Sequence, residues 1–353
     1  MWQGREIVLC TLAVLAGNLL GDLLPLPPLV YLVLSLASAS LSALRPRWGG
    51  LLVCFACLGA TAVQVGRMPS AAGEPAVLQW AAGCKAAFSD WLGRLLPEGD
   101  EQAVLQALAI GDRRALTRDL RAAYRESGAM HLLALSGLHV GLVYALLRRL
   151  LRPLGGHSAV RLAGSTLILG ALWTYALITG LGASIVRATL MITFYEIAGL
   201  SSGDRDGLSS LAGSAMLLML LRPESPRDIG FQLSYTAVLS ILLLHPWLKG
   251  RLQTRSRLLA RTWELLSISL CCQATCGVLA WLYFGTFPRY FLLTALLAVP
   301  LATATLYGMA AAIGMAALGS SLPALAPLTG AAASGLHAIL HLLNTVIRLI
   351  AQL

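Results

Sequence analysis

The run FLLTALLAVPLATATLYGMAAAIGMA, residues 291–316, decides the fold class, because it is long enough to cross a bilayer and contains no charged residue. A hydrocarbon core about 30 Å thick requires roughly 20 apolar residues in a helix. Similar runs recur along the chain, in which 57% of residues are hydrophobic and 12% are charged, with a mean hydropathy of +0.75. This composition argues against a soluble protein and predicts an all-α, polytopic integral membrane protein.

About ten or eleven transmembrane helices are predicted. Asn18 and Asp22 interrupt the far end of the first one and no small-residue cleavage site follows, so it is interpreted as a retained anchor and not as a signal peptide. Charges recur every few residues between the third and fourth spans, which indicates amphipathic helices at the membrane surface. The predicted spans are residues 7–24, 27–44, 49–66, 130–147, 160–180, 183–200, 207–221, 228–247, 263–284, 291–316 and 328–350.

The loop charges predict the orientation in the membrane. Lys and Arg cluster at residues 45–47, 148–152 and 249–261, which lie on one side if every span crosses once. By the positive-inside rule that side is the cytoplasm, so the amino terminus is cytoplasmic and the protein lies in the bacterial inner membrane. We therefore predict a three-span anchor (1–70), amphipathic helices on the periplasmic face (71–128) and a helical core (129–353).

The segment predicted to lie outside is unexpectedly basic. Its arginines can bind anionic lipid headgroups, or they can form a collar that attracts an anionic substrate by phosphate capture. Both interpretations stay open on the sequence alone. The residues concerned are Arg113, Arg114, Arg118, Arg121 and Arg125.

Polar residues interrupt the predicted span MHLLALSGLHV, residues 130–140. Gly137 and Gly141 are four residues apart, a spacing typical of close helix packing, in which Ser136 and His139 would bond a neighbouring backbone. The enzymatic alternative is a Ser136 and His139 nucleophile pair, which would need an orienting acid and an oxyanion hole. No Asp or Glu lies in this span.

Two further stretches place polar groups in apolar runs. The charge of Arg187 is costly within a membrane and needs a partner, but Glu196 lies about half a helical turn away around the helix. Arg187 therefore either caps carbonyls of a broken or re-entrant segment near Gly180 and Gly182 or faces a passage for phosphates. After two prolines, Asp228 can cap a helix on which Gln232 and Tyr235 share its face. That face is either polar packing or a hydrophilic lining.

The last predicted span carries a polar stripe on one face of an apolar helix. The stripe faces water or polar neighbouring helices, and its two histidines lack the glutamate of a zinc-binding HExxH helix. Cys54 and Cys57 lack a second pair, so no metal, disulfide or cofactor is predicted. The stripe consists of His337, His341, Asn344 and Arg348.

Four stretches together resemble the competence domain of the ComEC family, inner-membrane proteins implicated in DNA import during natural transformation. They are ALAIGDRRAL (107–116), HLLALSGLHVGLV (131–143), TGLGASIVRATLM (179–191) and RPESPRDIGFQLSYTAV (222–238), in the family's order, and the resemblance runs from about Leu78 to Leu353. It carries over to Gly111, Asp112, His131, Ser136, Gly137, His139, Ser184, Arg187, Asp228, Gly230, Phe231, Gln232 and Ser234.

The chain departs from the larger family members in three places. Many of them carry an OB-type domain after the early spans and a metallo-β-lactamase-like domain at the end. Here RMPSAAGEP (67–75) follows the third span directly and the six histidines form no H-x-H-x-D-H cluster, so we expect neither domain. Thr294 stands where the family has an asparagine.

The resemblance implies a channel, with 129–353 as its core, that passes one DNA strand from periplasm to cytoplasm without an enzymatic activity of its own. Since no P-loop occurs, a cytoplasmic ATPase, a nuclease and a DNA receptor would be separate partners beside the membrane lipids, and either a monomer or a homodimer could enclose the path. The alternatives are a transporter of another anion, such as a nucleotide or lipid-linked phosphate, and an intramembrane Ser/His hydrolase. The predicted path residues are His131, Ser136, Gly137, His139, Ser184, Arg187, Asp228, Gln232, Ser234, Tyr235, His337, His341, Asn344 and Arg348.

Overall fold

The computed structural model describes residues 4–24, 26–44, 48–66, 76–152, 158–201, 205–252, 254–285, 290–321 and 326–353, and all regular structure in these ranges is helical. The predicted boundary between residues 70 and 71 and the basic residues 45–47 lie outside them. The helices are α1 (Gly4–Leu23), α2 (Pro28–Leu44), α3 (Trp48–Gly66), α4 (Ala76–Gly93), α5 (Asp100–Ile110), α6 (Arg118–Glu126), α7 (Met130–Leu133), α8 (Gly137–Leu151), α9 (Ser158–Ile178), α10 (Ala183–Ser201), α11 (Gly207–Leu221), α12 (Ile229–Lys249), α13 (Arg257–Cys272), α14 (Val278–Phe284), α15 (Phe291–Ser321) and α16 (Ala326–Ala351).

The all-α polytopic class is confirmed. Among the described residues, seven helices are long and apolar enough to span a membrane, and three shorter apolar helices lie at predicted spans 27–44, 49–66 and 207–221. α13 and α14 are joined by a π-helical segment, Gln273–Gly277, so that one continuous helical stretch runs from Arg257 to Phe284.

The prediction of a single helix over 130–147 is wrong. The chain leaves the helical conformation at residues 134–136, after the four-residue α7, and a new helix of 15 residues, α8, begins at Gly137. Hydropathy could not reveal this break, because the residues on both sides of it are apolar.

The chain divides into two compact units, which interleave along the sequence. Unit 1 comprises residues 1–73, 155–169 and 187–242, and unit 2 comprises residues 74–154, 170–186 and 243–353.

Close packing of α1 against α3 organises unit 1. A Cβ added at Gly17 would lie 1.8 Å from the carbonyl oxygen of Ala56, and one at Gly21 would lie 2.9 Å from the Cα of Ala60. On the other helix, a Cβ at Gly59 would lie 2.4 Å from the carbonyl oxygen of Val14. Small residues four apart thus let two backbones touch, as is common between helices in membranes.

The same spacing at Gly137 and Gly141 does not produce packing. A Cβ at Gly141 would meet nothing within 4 Å, and Gly137 is exposed. The predicted close approach at this pair is therefore wrong, since the glycines lie at the start of a new helix and not at a helix crossing.

Helix α5 forms the centre of unit 2. Between Ala103 and Ile110 its sequence is apolar apart from Gln106, and the seven apolar residues of this stretch are buried, five of them in a core that includes α6, α15 and α16. An all-round apolar helix of this kind favours an interior position, and it does not fit the surface position expected for this segment. α6 has the amphipathic character predicted, burying Leu120 and Tyr124 while its arginines point outward.

Candidate functional site

Arg187 is buried in the first turns of α10, and its partner is an acid on another helix. The guanidinium NH1 lies 3.5 Å from Asp228 Oδ2; the Arg187 side chain is 9% exposed and that of Asp228 is 55% exposed. The carbonyls at the end of α9 are instead capped by the turn itself, in which Leu181 N–H donates to Ala176 O at 2.8 Å. The interpretation of Arg187 as a cap for a broken segment is therefore wrong.

Asp228 caps α12 as predicted. Its Oδ1 accepts from Gly230 N–H at 3.1 Å, and its Oδ2 accepts from Phe231 N–H at 3.2 Å. A Cβ at Gly230 would lie 3.3 Å from Arg187 NH2, so the glycine leaves room for the guanidinium beside the positive end of the helix.

The other polar residues at the start of α12 make bonds within unit 1. Gln232 Nε2 donates to Pro226 O at 2.8 Å, and Tyr235 OH donates to Ser214 Oγ at 3.1 Å. Ser234 is half-buried. The polar face thus holds α12 to its neighbours, and its role as a path lining stays a prediction.

Two polar residues of α1 hold the stretch that precedes α12. Asn18 Nδ2 donates to Met219 O and Pro223 O, both at 3.4 Å, and Asp22 forms an ion pair with Arg227. Sequence reasoning used Asn18 and Asp22 only to reject a signal peptide. Their spacing of four residues in an apolar helix was the available signal of a polar contact face.

In unit 2, Asp112 is the anchor of the loop that follows α5. Its carboxylate accepts from Ser89 Oγ at 3.1 Å and from Arg114 NH2 at 2.6 Å. The Arg114 guanidinium lowers the pKa of Asp112 to about 2. Gly111 ends α5 with a φ of 70°, and a Cβ there would lie 2.9 Å from Leu135 Cδ1.

Ser136 and His139 bond each other at the break between α7 and α8. Ser136 N–H donates to His139 Nδ1 at 3.2 Å, and the Ser136 hydroxyl lies 3.0 Å from the same nitrogen. Since Nδ1 accepts, the ring proton of a neutral His139 is on Nε2, and the hydroxyl donates. The pair forms a capping box in which a histidine takes the place of the usual Glu or Gln. No carboxylate bonds His139 in the described ranges.

The five arginines predicted to capture phosphate differ in their availability. Arg113 Nε donates to Leu133 O at 3.1 Å at the end of α7, Arg121 donates to Arg113 O, and Arg114 is held by Asp112. Arg118 and Arg125 are exposed. Three arginines of the basic collar therefore stabilise the loop, and of these Arg114 and Arg121 are also exposed.

The polar stripe of α16 contacts neighbouring helices, which was one of the two predicted environments. Tyr124 OH donates to Asn344 Oδ1 at 3.1 Å, His341 Nδ1 lies 2.9 Å from Glu101 Oε1, and Arg348 pairs with Asp100. His337 is half-buried. No group of His, Cys, Asp or Glu suited to a metal occurs among the residues described.

Three further positions that the sequence analysis mentions lie elsewhere in unit 2. His131 is exposed, with Nδ1 3.0 Å from Gly128 O, and Ser184 is half-buried. Thr294 is fully buried and donates to Ser127 O at 2.5 Å, so it ties α15 to the loop after α6.

Comparison with known proteins links the chain to one family. The model of the family described as "Competence protein" matches residues 108–353. The chain is 36% identical over 149 residues to ComE operon protein 3 of Bacillus subtilis, covering 42% of the chain and 19% of that protein. It is 31% identical over 145 residues to an uncharacterized protein of Aquifex aeolicus, covering 40% of the chain and 33% of that protein. The alignments thus span a third or less of these relatives, and no solved structure matches significantly.

Proposed function

Because the chain belongs to the competence protein family, we propose that it takes part in DNA uptake as an inner-membrane channel that conducts single-stranded DNA from periplasm to cytoplasm. The observation that carries the proposal is Arg187, a buried cation beside the positive end of α12 in a chain with seven candidate membrane spans. A guanidinium next to helix N–H groups matches the chemistry of a phosphodiester.

The contacts within unit 1 support the orientation that we propose. The end of α1, through Asn18 and Asp22, meets the stretch before α12, and the start of α12 meets the start of α10 through Arg187. If the amino terminus is cytoplasmic and the interrupted segment α7–α8 crosses the membrane once, these ends all lie on the periplasmic side. Arg187 then stands where a strand would enter.

The contacts in unit 2 agree with the same predicted topology. The last turns of α16 contact the start of α5 and the amphipathic α6, which our topology assigns to the periplasmic face together. The outward-facing Arg118 and Arg125 would present positive charge there to DNA or to anionic lipid. The motor, the nuclease and the receptor are separate proteins in this proposal.

The experiment that tests the proposal follows fluorescent double-stranded DNA in the native host. We expect a clean deletion to arrest the label outside the inner membrane, and re-expression of the full chain to restore entry into the cytoplasm. A deletion strain that imports DNA normally, with no second copy present, would refute the channel. A flux assay in proteoliposomes, with nucleotides and lipid-linked phosphates as competitors, then tests the transport of a smaller anion.

The contact between Ser136 and His139 is the observation that favours a hydrolase, and one substitution separates it from capping. Asparagine caps a helix about as well as serine but supplies no nucleophilic hydroxyl. We expect the Ser136→Asn variant to import DNA at the wild-type rate. The matched variant is Ser136→Val, which lacks a capping group. Loss of import in Ser136→Asn at normal protein levels, together with labelling of the wild type by a serine-directed probe, would favour the hydrolase.

A further inference from the structure

The Arg187 guanidinium has fewer partners than its burial requires. An arginine has five N–H donors, and charge-assisted bonds to a carboxylate are about 2.7–2.9 Å long. In the described part of the chain, the contact recorded for this side chain is the 3.5 Å approach to Asp228, and Arg187 Nε is buried without an acceptor. Such an under-bonded cation has the capacity to hold a further anion.

Asp228 occupies the position that this anion would take. Its two oxygens accept from Gly230 N–H and Phe231 N–H while one of them also faces Arg187. Backbone N–H groups at a helix N-terminus together with an arginine form the usual surroundings of a bound phosphate. The Asp228 carboxylate therefore occupies the site as a phosphate would, but it makes only some of the hydrogen bonds that a phosphate could make there.

Exposure shows how the carboxylate could leave. The Asp228 side chain is 55% exposed whereas that of Arg187 is 9% exposed, so the acid lies on the open side of the cation. Rotation of one short side chain toward solvent would uncover Arg187 and the two N–H groups together. No movement of a helix is needed.

We propose that Asp228 is a displaceable substitute for a phosphodiester, which neutralises the Arg187 site at rest and competes with each phosphate that enters it. The proposal rests on the DNA channel proposed above and deepens it. Its consequence is weak, transient binding, since conduction requires a site that an ion can enter and also leave. A phosphate at this site gains the bonds to Arg187 only as the carboxylate gives them up.

The test compares matched variants of the full chain in nanodiscs of neutral lipid, with binding of fluorescent oligo(dT) measured at several salt concentrations. Asp228→Asn keeps the helix cap and removes the charge. We expect it to bind about tenfold more tightly, in line with close charge pairs. Glu224→Gln makes the same change in net charge at an exposed position four residues away, and we expect it to bind like the wild type.

The double variant Asp228→Asn with Arg187→Gln should lose the gain in affinity, because the released cation is absent. If Asp228→Asn binds as weakly as the wild type or more weakly, the carboxylate positions Arg187 and is no competitor, and the proposal is overturned. The same result overturns it if Glu224→Gln gains equally, since net charge alone then explains the effect.

A second arm distinguishes this proposal from the DNA channel. It replaces oligo(dT) by two other phosphodiesters. One is the headgroup of phosphatidylglycerol, supplied as anionic lipid in the nanodisc, and the other is a soluble dinucleotide. A gain in Asp228→Asn for these ligands without any binding of oligo(dT) would uphold the phosphate substitute and refute the DNA channel. No gain for any phosphate would overturn the substitute while leaving DNA uptake to be judged by the import assay.

Discussion

Replacing Arg187 with glutamine is expected to lower transformation roughly 100-fold, since bonds to a charged group contribute about 1.5–3 kcal/mol each in a buried setting. Glutamine keeps much of the side-chain length but removes the charge that faces Asp228 and the start of α12. The measurement is the number of transformants per viable cell at saturating DNA, in a deletion strain that carries the variant at the wild-type membrane level.

Two control variants sharpen this result. Arg187→Lys keeps the charge and loses the planar fork, so we expect an intermediate loss. Arg222→Gln removes an exposed arginine in the same region of unit 1 and should transform normally. Wild-type transformation by Arg187→Gln would remove this residue from the path, and an equal loss in Arg222→Gln would mean that overall charge and not the buried site is responsible.

Substituting Gly17 with alanine should separate α1 from α3 and lower the free energy of unfolding by about 3 kcal/mol or more, the upper range for overpacking. The added Cβ would lie 1.8 Å from a backbone oxygen, that of Ala56, and a helix backbone cannot move aside as a flexible side chain can. We expect a lower yield of monodisperse protein in mild detergent and a lower midpoint in a thermal aggregation assay followed by size-exclusion chromatography.

Gly141→Ala is the matched control for this variant. It is the same substitution in an apolar helix, but its Cβ would enter open space. The midpoint should stay at the wild-type value or rise slightly, because alanine favours the helix. If both variants were equally stable, the close approach of α1 and α3 would be contradicted.

The two glycine pairs show how far the sequence could be used. Gly17 with Gly21 and Gly137 with Gly141 have identical spacing, yet only the first pair lies at a helix crossing. Spacing reports which residues share a helix face and says nothing about whether another helix covers that face. The apolar runs, by contrast, predicted the fold class correctly, because the length of a membrane helix is set by the bilayer.

The sequence singled out Arg187 and Asp228 separately, and it did not predict the contact between them. Asp228 was correctly predicted as a cap, since capping is a local matter of three residues. Its bond to Arg187 joins two helices, and an isolated sequence holds no information about which acid meets which base. The stripe on α16 was predicted from its period, whereas its partners Asp100 and Glu101 could only be found from the packing of α5.

The break before α8 was missed for a different reason. A capping box is usually recognised by Ser or Thr followed three residues later by Glu or Gln, and here His139 fills that place. The sequence Ser-Gly-Leu-His therefore looked like part of one helix or like a nucleophile pair. The histidine accepts the same backbone hydrogen bond that a glutamate would accept.

The polar contacts of α1 impose an order on the biogenesis of this protein. Asn18 and Asp22 bond groups that are synthesised 201 to 205 residues later, which at about 5–20 residues per second is a delay of roughly 10–40 s. α3 emerges much sooner, and Gln64 on α3 already donates to Gly21 O at 2.5 Å. α1 and α3 are thus both made well before residues 219–227, whose bonds to Asn18 and Asp22 complete the packing of α1 within unit 1.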